Sequence, residues 1–382
     1  MSPLVNLPWE LEEDILSRLP PQSLVRFRTV SRKCNSLFND KTFINNHLSR
    51  SRPQFILLTT SKIYSIDIID HDSIDPTIEV REIPSFSYIP NRETNYNHRT
   101  IVTTCDEFLL CNYRFVESKT ALWNPWLRQV KWIEYWDEEF CVFGLGYDNT
   151  RPEKVYKILG YLFCHRKFFS DQRVGIYECA SNLLRFINRP EDYDFPLSEV
   201  AKISNVSLNG NIYWITWGRS KINEYYYIRM FDFSTEKFKP LCLLPCQKNP
   251  HINEIILAVY KGDRFSLLEQ CGVTREIGIW VTKERISNTN GDGGREGVVW
   301  IKLMTLSIAN LPKLYSEHVY RASYFIYEKT LVMCRGEDET GVACIFIVRE
   351  DQCKKIQIDP RIGKCCHCVY TPNLVSLPLF GG

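Results

Sequence analysis

The sequence predicts a small all-α module of short helices followed by an all-β domain, a β-propeller of about six four-stranded blades. Three observations carry that prediction. Helix-period apolar spacing is confined to the first fifty residues, strand-period alternation begins after Pro53, and an aromatic-centred unit returns roughly every 50 residues from there on. With 382 residues the chain suits one small domain, residues 1–50, and one large one, residues 54–380.

Residues 7 to 48 read as short helices. Pro8 suits a first-turn position, and Glu10, Glu12, Glu13 and Asp14 fall where the helix dipole favours negative charge. Leu11, Ile15, Leu16 and Leu19 fall at i, i+4, i+5 and i+8, which makes one apolar stripe before Pro20-Pro21 stops the helix. Ser23 can cap a second helix carrying Leu24, Val25 and Phe27. Ser31 can cap a third with Leu37 and Phe38, and Asp40 a fourth with Phe43, Ile44 and Leu48. So small a unit lacks the core volume to hide all these apolar faces, so a partner must cover what remains.

Strand patterns follow at once. Ile63-Tyr64-Ser65-Ile66-Asp67-Ile68 alternates as a half-buried strand does, and so does Ile277-Gly278-Ile279-Trp280-Val281-Thr282. Val342 to Val348 is apolar throughout, which suits a strand covered on both faces. The recurring unit is an aromatic-centred strand, a polar turn and a second strand. Its central aromatics are Tyr64, Trp123, Tyr177, Phe231, Trp280 and Phe346, at intervals of 59, 54, 54, 49 and 66 residues. The longest interval contains Ser287 to Gly297, a polar glycine-rich insertion.

A second turn precedes most of those aromatics, at Asp106, Gly210, Gly262 and Lys329. Asn209-Gly210 and Lys261-Gly262 are tight hairpin signals, because glycine accepts positive φ without steric cost. The copy around Tyr177 fits less well. Two hairpins per unit make four strands, and radial stacking of such units buries both faces of each. Five or seven blades also fit the phase. A two-sheet β-sandwich array is the rival fold, and it leaves the repeated spacing unexplained.

Composition narrows the function. The 47 basic and 45 acidic residues nearly cancel, so no global field points to nucleic acid or an anionic membrane. No apolar run approaches the roughly 20 residues that span a bilayer. Fifteen cysteines at irregular spacing, behind an N-terminus without charged and apolar leader regions, read as small core residues in a reducing cytosol or nucleus.

Chemistry is sparse. Nucleophile-elbow, zincin, Walker and dinucleotide signatures do not occur, and the expectation is a non-catalytic chain without cofactor or metal. Gly291-Asp292-Gly293-Gly294 reads as a surface loop. In Cys365-Cys366-His367-Cys368, Cys366 and Cys368 share one strand face while Cys365 and His367 take the other, so zinc would need donors from elsewhere. Glu138-Glu139 and Glu337-Asp338-Glu339 read as solvated turns. Trp123, Trp126, Trp214 and Trp217 read as packing between blades rather than a ligand platform, and Arg26, Arg28, Arg32 and Lys33 as a solvated helix face.

Leu7-Pro8-Trp9-Glu10-Leu11, Ile15-Leu16-Ser17-Arg18-Leu19-Pro20 and Ser23-Leu24-Val25-Arg26-Phe27-Arg28-Thr29-Val30-Ser31, continuing through Asn35-Ser36-Leu37 to Phe43, resemble the F-box. Leu122-Trp123-Asn124-Pro125-Trp126, Gly144-Leu145-Gly146-Tyr147-Asp148, Tyr156-Lys157-Ile158 and Val206 to Trp214 resemble the plant F-box-associated domain, a kelch-like propeller. The resemblance implies the substrate-recognition subunit of a cullin–RING ubiquitin ligase. It would dock on a Skp-type adaptor, through it on cullin and RING subunits, and hold an unidentified target protein. By the same resemblance Leu7, Pro8, Leu11, Ile15, Leu16, Leu24, Val25 and Val30 lie on or just beneath the docking face. Ser31 and Cys34 stand where the family usually has Cys and Trp. A buried large side chain is worth roughly 1.5–3 kcal/mol, so Cys34 predicts a weaker grip on the adaptor. A free-standing scaffold with a decayed F-box and a propeller hydrolase are the alternatives.

Overall fold

The structure is a computed structural model and describes residues 7–377 apart from 60–61, 71–72, 74, 85–98, 107, 114–118, 135–139, 163–172, 188–204, 220–223, 247–252, 288–296, 309–310, 315–320, 338–339, 351 and 364. Helices α1 (Trp9–Ser17), α2 (Pro21–Phe27), α3 (Arg32–Leu37) and α4 (Lys41–Arg50) come first, and strands follow. Ser31 and Asp40 cap as their chemistry dictates: Ser31 Oγ accepts from Cys34 N at 3.0 Å, and Asp40 Oδ1 accepts from Thr42 N at 2.8 Å and Phe43 N at 3.0 Å. Two expected starts move. Pro8 is the residue before α1, and α2 opens at Pro21 with Ser23 inside its first turn. Proline's fixed φ and missing N–H fit a first helical turn, so the Pro pair ends one helix and begins the next.

The strands form six antiparallel four-stranded sheets. The first blade takes β1 (Gln54–Leu58), β2 (Ile63–Ile69) and β3 (Thr77–Ile83), with β24 (Cys366–Tyr370) as its innermost strand. The second holds β4 (Arg99–Cys105), β5 (Phe108–Tyr113), β6 (Lys119–Asn124) and β7 (Gln129–Glu134). The third holds β8 (Phe140–Asp148), β9 (Val155–Leu162), β10 (Val174–Glu178) and β11 (Leu183–Ile187). The fourth holds β12 (Asn205–Leu208), β13 (Asn211–Arg219), β14 (Glu224–Asp232) and β15 (Lys237–Leu243). The fifth holds β16 (Asn253–Tyr260), β17 (Arg264–Cys271), β18 (Ile277–Thr282) and β19 (Trp300–Leu306), and the sixth β20 (Ser323–Tyr327), β21 (Thr330–Gly336), β22 (Ala343–Arg349) and β23 (Gln352–Gln357).

All six central aromatics fall on the third strand of their blade. Six separate sheets exclude the sandwich. Each junction between neighbouring blades has its own buried cluster. Along β1, Phe55 and Leu57 face the sixth blade while Ile56 and Leu58 face the second. This two-sided covering corrects the half-buried reading of β2 and β18, in which Ser65 and Gly278 are buried as fully as their apolar neighbours. In a propeller the polar half of an alternating strand meets the next blade rather than water.

Hairpin turns obey the same economy. Positive φ occurs at Asp106, Asn209-Gly210, Lys261-Gly262 and Glu328 between first and second strands. It occurs again at Asp70, Arg128, Asn182, Glu236 and Glu350 between third and fourth strands. In the fifth blade the connection from β18 to β19 takes that second position, and residues 288–296 of the predicted insertion lie outside the described residues. The third blade, whose repeat reads poorly, turns without glycine: Asp148 Oδ1 accepts from Thr150 N at 2.9 Å and Thr150 Oγ1 at 2.6 Å.

Gly144 and Gly146 let the third blade close on the fourth. A Cβ on Gly146 would lie 2.2 Å from Gly210 O and 2.3 Å from the Phe233 ring. That space lets Tyr147 N donate to Gly210 O at 2.9 Å. Gly146→Ala should therefore cost about 1–3 kcal/mol or more in urea denaturation. Gly210 is itself backbone and cannot move as a side-chain tip would.

His367 on β24 is buried, and its Nδ1 shares a hydrogen bond of 2.7 Å with Ser323 Oγ of the sixth blade. Burial pulls its pKa from 6.5 down to about 4, so the folded ring is neutral. The unfolded chain takes the proton first as pH drops below 6.5. Stability should fall from there to about pH 4, by on the order of 3 kcal/mol. Urea midpoints measured across that range should show the loss, and His367→Gln should make it shallower.

Candidate functional site

The four helices have two unlike surfaces. Leu24, Leu37, Phe38 and Phe43 form a buried core, with Phe38 and Phe43 ring centroids 5.3 Å apart. Trp9, Leu16, Leu19, Val25, Cys34 and Ile44 pack around it. His47 closes the far side, stacked on Phe43 and within 3.0 Å of Leu19 O through Nε2. Asp14 ties α1 to α4: its carboxylate pairs with Arg50 at 2.8 Å and with Arg18 at 2.8 Å. Those hydrogen bonds, Arg50's above all, hold its carboxyl below the usual range.

The stripe read along α1 divides. Leu16 and Leu19 turn inward, whereas Leu7, Leu11 and Ile15 stay about half exposed, at 52%, 51% and 51%. At 100° per residue, positions 11 and 15 lie on one face of α1, and Trp9 and Leu16 lie well round from it; Leu7 precedes the helix. Pro8 is exposed too. Val30 is 69% exposed and Phe27 39%, while Val25 is half-buried and Leu24 has no exposure. The expected docking residues therefore sort into two layers. Leu7, Pro8, Leu11, Ile15 and Val30 meet solvent; Leu16, Val25 and Leu24 support them from inside. Phe27 belongs with the outer layer, and its place beside Val25 in the α2 repeat could have marked it.

The basic cluster divides. Arg28 turns inward, and its Nη2 donates to Phe38 O at 3.2 Å and Leu374 O at 3.4 Å. Lys33 lies over the Trp9 ring at 3.4 Å but stays exposed, so Arg26, Arg32 and Lys33 keep the expected solvated face. Burial lowers the Arg28 pKa.

Strand direction places this module on the propeller. In blades two to six the turns between strands one and two and between three and four, with the turn from β2 to β3 in the first blade, open on one end, because all pairs are antiparallel. The helices sit at that end. Leu127, from the turn after β6, and Leu374, which follows β24, both pack into the helical core. A cleft of about 650 Å³ remains between module and propeller, lined by Arg50, Arg52, Asp67, Arg81 and Trp126 among others. Burial raises the Asp67 carboxyl, with Arg81 opposing at 3.7 Å.

The remaining connections, between strands two and three and from blade to blade, open at the opposite end. There Val273 is 78% exposed in the turn from β17 to β18. Glu337 pairs with Lys355 at 2.5 Å and accepts from Thr340 Oγ1 at 3.0 Å.

The other sequence candidates are structural. Trp123, Trp126 and Trp214 are buried in clusters between blades, and Trp217 is half-buried. Cys366 and Cys368 face the second blade while Cys365 and His367 face the sixth, so the cluster is split across a strand. Among the described residues no group of three or more His, Cys, Asp or Glu side chains is placed to hold a metal ion. All fourteen described cysteines are free thiols. Glu138-Glu139, Asp338-Glu339 and Gly291 to Gly294 lie outside the described residues. No described helix is long and apolar enough to cross a membrane.

The architecture defines a class: a closed six-bladed propeller that carries a four-helix module, apolar on its outer face, at one end. Residues 4–46 match the F-box domain and residues 54–377 match the F-box associated beta propeller domain. The chain belongs to the F-box proteins with an F-box-associated propeller. It is 70% identical to the Arabidopsis thaliana protein SUPPRESSOR OF NIM1 1 over 98% of this chain and 100% of that one. It is also 48% identical to the Arabidopsis thaliana F-box protein At3g17710, over 98% of each.

The two layers predict different costs. Leu24→Ala should destabilise the helical module by about 2–5 kcal/mol, and Leu11→Ala by within about 0.5 kcal/mol. Urea titration read by limited proteolysis of the module separates them.

Proposed function

We propose that this chain is the substrate-recognition subunit of a cullin–RING ubiquitin ligase. Residues 1–50 dock on a Skp-type adaptor, and through it on the cullin and RING subunits. Residues 54–380 hold the target protein. The observation that carries this reading is the exposed row Leu7, Leu11 and Ile15, left open although the module's other face is packed against the propeller. An apolar face that an already docked module still leaves in water fits a second protein surface. Leu24, Leu16 and Val25 then set the height and slope of that face from beneath.

The loop end opposite the helices is the target-binding end in this reading. A target bound there and an adaptor bound at the helices do not compete for space. The chain contributes proximity: it raises the effective concentration of target lysines near the ubiquitin thioester, and the transfer is carried out by other subunits. It works in the cytosol or nucleus, where those subunits act.

Cys34 and Ser31 bear on strength. Ser31 gains a helix cap, whereas Cys34 fills with a small side chain a place the family gives to Trp. A free-standing scaffold with a decayed docking module is the reading this substitution favours, and affinity decides between the two. Leu11→Glu or Ile15→Lys should abolish capture of a Skp-type adaptor while near-ultraviolet circular dichroism of the propeller stays unchanged. Capture that survives both substitutions overturns the proposal.

A further inference from the structure

Residues 371–377 follow the last strand and leave the propeller's first blade. Their side chains do three separate jobs. Leu374 enters the core of the helical module, where it is 1% exposed beside Leu24, Leu37, Phe38 and Phe43. Arg28 Nη2 donates at once to Phe38 O within the module and to Leu374 O, so one guanidinium joins the two. Asn373, with no exposure, is anchored in the second blade. Its Oδ1 accepts from Asn124 Nδ2 at 3.1 Å, and its Nδ2 donates to Asp106 O at 3.3 Å.

Asn124 is buried as completely and uses every group it has. Its Oδ1 accepts from Trp126 N at 3.0 Å and Leu127 N at 3.1 Å, which shapes the turn that sends Leu127 into the helical core. Its Nδ2 also donates to Val375 O at 2.8 Å. Further along, Leu377 N donates to Gln129 Oε1 at 2.8 Å, and Val375 and Leu377 pack on the cluster between the second and third blades.

We infer that this C-terminal segment is a coupling strap: it completes the helical module's core and locks that module to the second blade. The module is therefore not self-sufficient. Its folded state needs a leucine more than 300 residues away, and its orientation is set by the Asn124–Asn373 pair. The linker Ser51-Arg52-Pro53 is short, and the strap supplies the second, non-covalent tether. Two attachment points on a small body, the end of α4 and the core around Leu374, restrict the swivel that one linker permits. A factor that displaces or cleaves the strap would disable the module without touching Leu7, Leu11 or Ile15.

The consequence for adaptor docking rests on the proposed function; the coupling itself does not, and the experiment keeps them apart. Amide hydrogen exchange is measured on the full chain and on its Leu374→Ala, Asn373→Ala and Leu11→Glu variants, alongside capture of a Skp-type adaptor. Leu374→Ala should speed exchange in α2, α3 and α4 by about thirty-fold or more, as expected for a leucine deleted from a buried core. Asn373→Ala should do so more weakly, with blades four to six unchanged in both. Adaptor capture should fall with Leu374→Ala in step with exchange, whereas Leu11→Glu should lose capture at wild-type exchange. Wild-type exchange in the helices of Leu374→Ala, or an equal rise in blades four to six, overturns the strap. A wild-type chain that captures no adaptor overturns the proposed function and leaves the exchange result to judge the strap.

Discussion

Five backbone pairings, from Gln54 with Tyr370 to Leu58 with Cys366, join the chain's last strand to the first strand after the helices. On that ladder the rest of the molecule depends. It completes the first blade, presses Cys365 and His367 against the sixth blade, and brings Cys366 Sγ within 3.4 Å of Ile101 N in the second. A ring closed this way has no open inner edge, and every blade face finds a neighbour. The pairing also costs most in chain entropy, because its partners are more than 300 residues apart. Six clusters between blades must together hold what no local segment stabilises alone.

Closure then decides where the helices go. Because β24 runs toward the tight-turn end, the residues after it emerge beneath the second blade, beside the end of α4. Leu374 and Leu127 arrive at the helical core from different parts of the propeller, and Asn124 coordinates both. One buried amide side chain with all its groups satisfied is a rigid joint, since leaving any of them unpaired would cost about 1–3 kcal/mol. The Leu-Trp-Asn-Pro-Trp run thus serves three purposes. Trp123 and Trp126 pack between blades, Asn124 holds the strap, and Leu127 meets the helices.

The same joint explains how one small module can be stable yet apolar outside. A four-helix unit of this length cannot bury its inner face alone, and the propeller supplies the missing side chains. The outer face is then free to stay exposed without endangering the fold. Leu7, Leu11 and Ile15 stay half exposed, whereas fully buried Leu24 belongs to the module's core.

Much of this was legible in the residues. Helix caps at Ser31 and Asp40, the change from helical to strand period at Pro53, and the aromatic of each third strand follow from local chemistry and from periodicity along the chain. The repeating aromatics pointed to about six blades, because each repeats one packing problem, but five or seven also fitted their phase until the six sheets fixed the number. What periodicity could not show was which half of an apolar stripe faces inward. On α1 that division arises from contacts with α2 to α4, since both flanks are equally greasy in one dimension. Neither could it show that Cys366 to Tyr370 completes the first blade, nor that Leu374 fills the helical core. Local sequence determines what each segment can become; pairings across more than 300 residues are settled only when the ring closes, because the free energy that selects them comes from burial shared between distant parts of the chain.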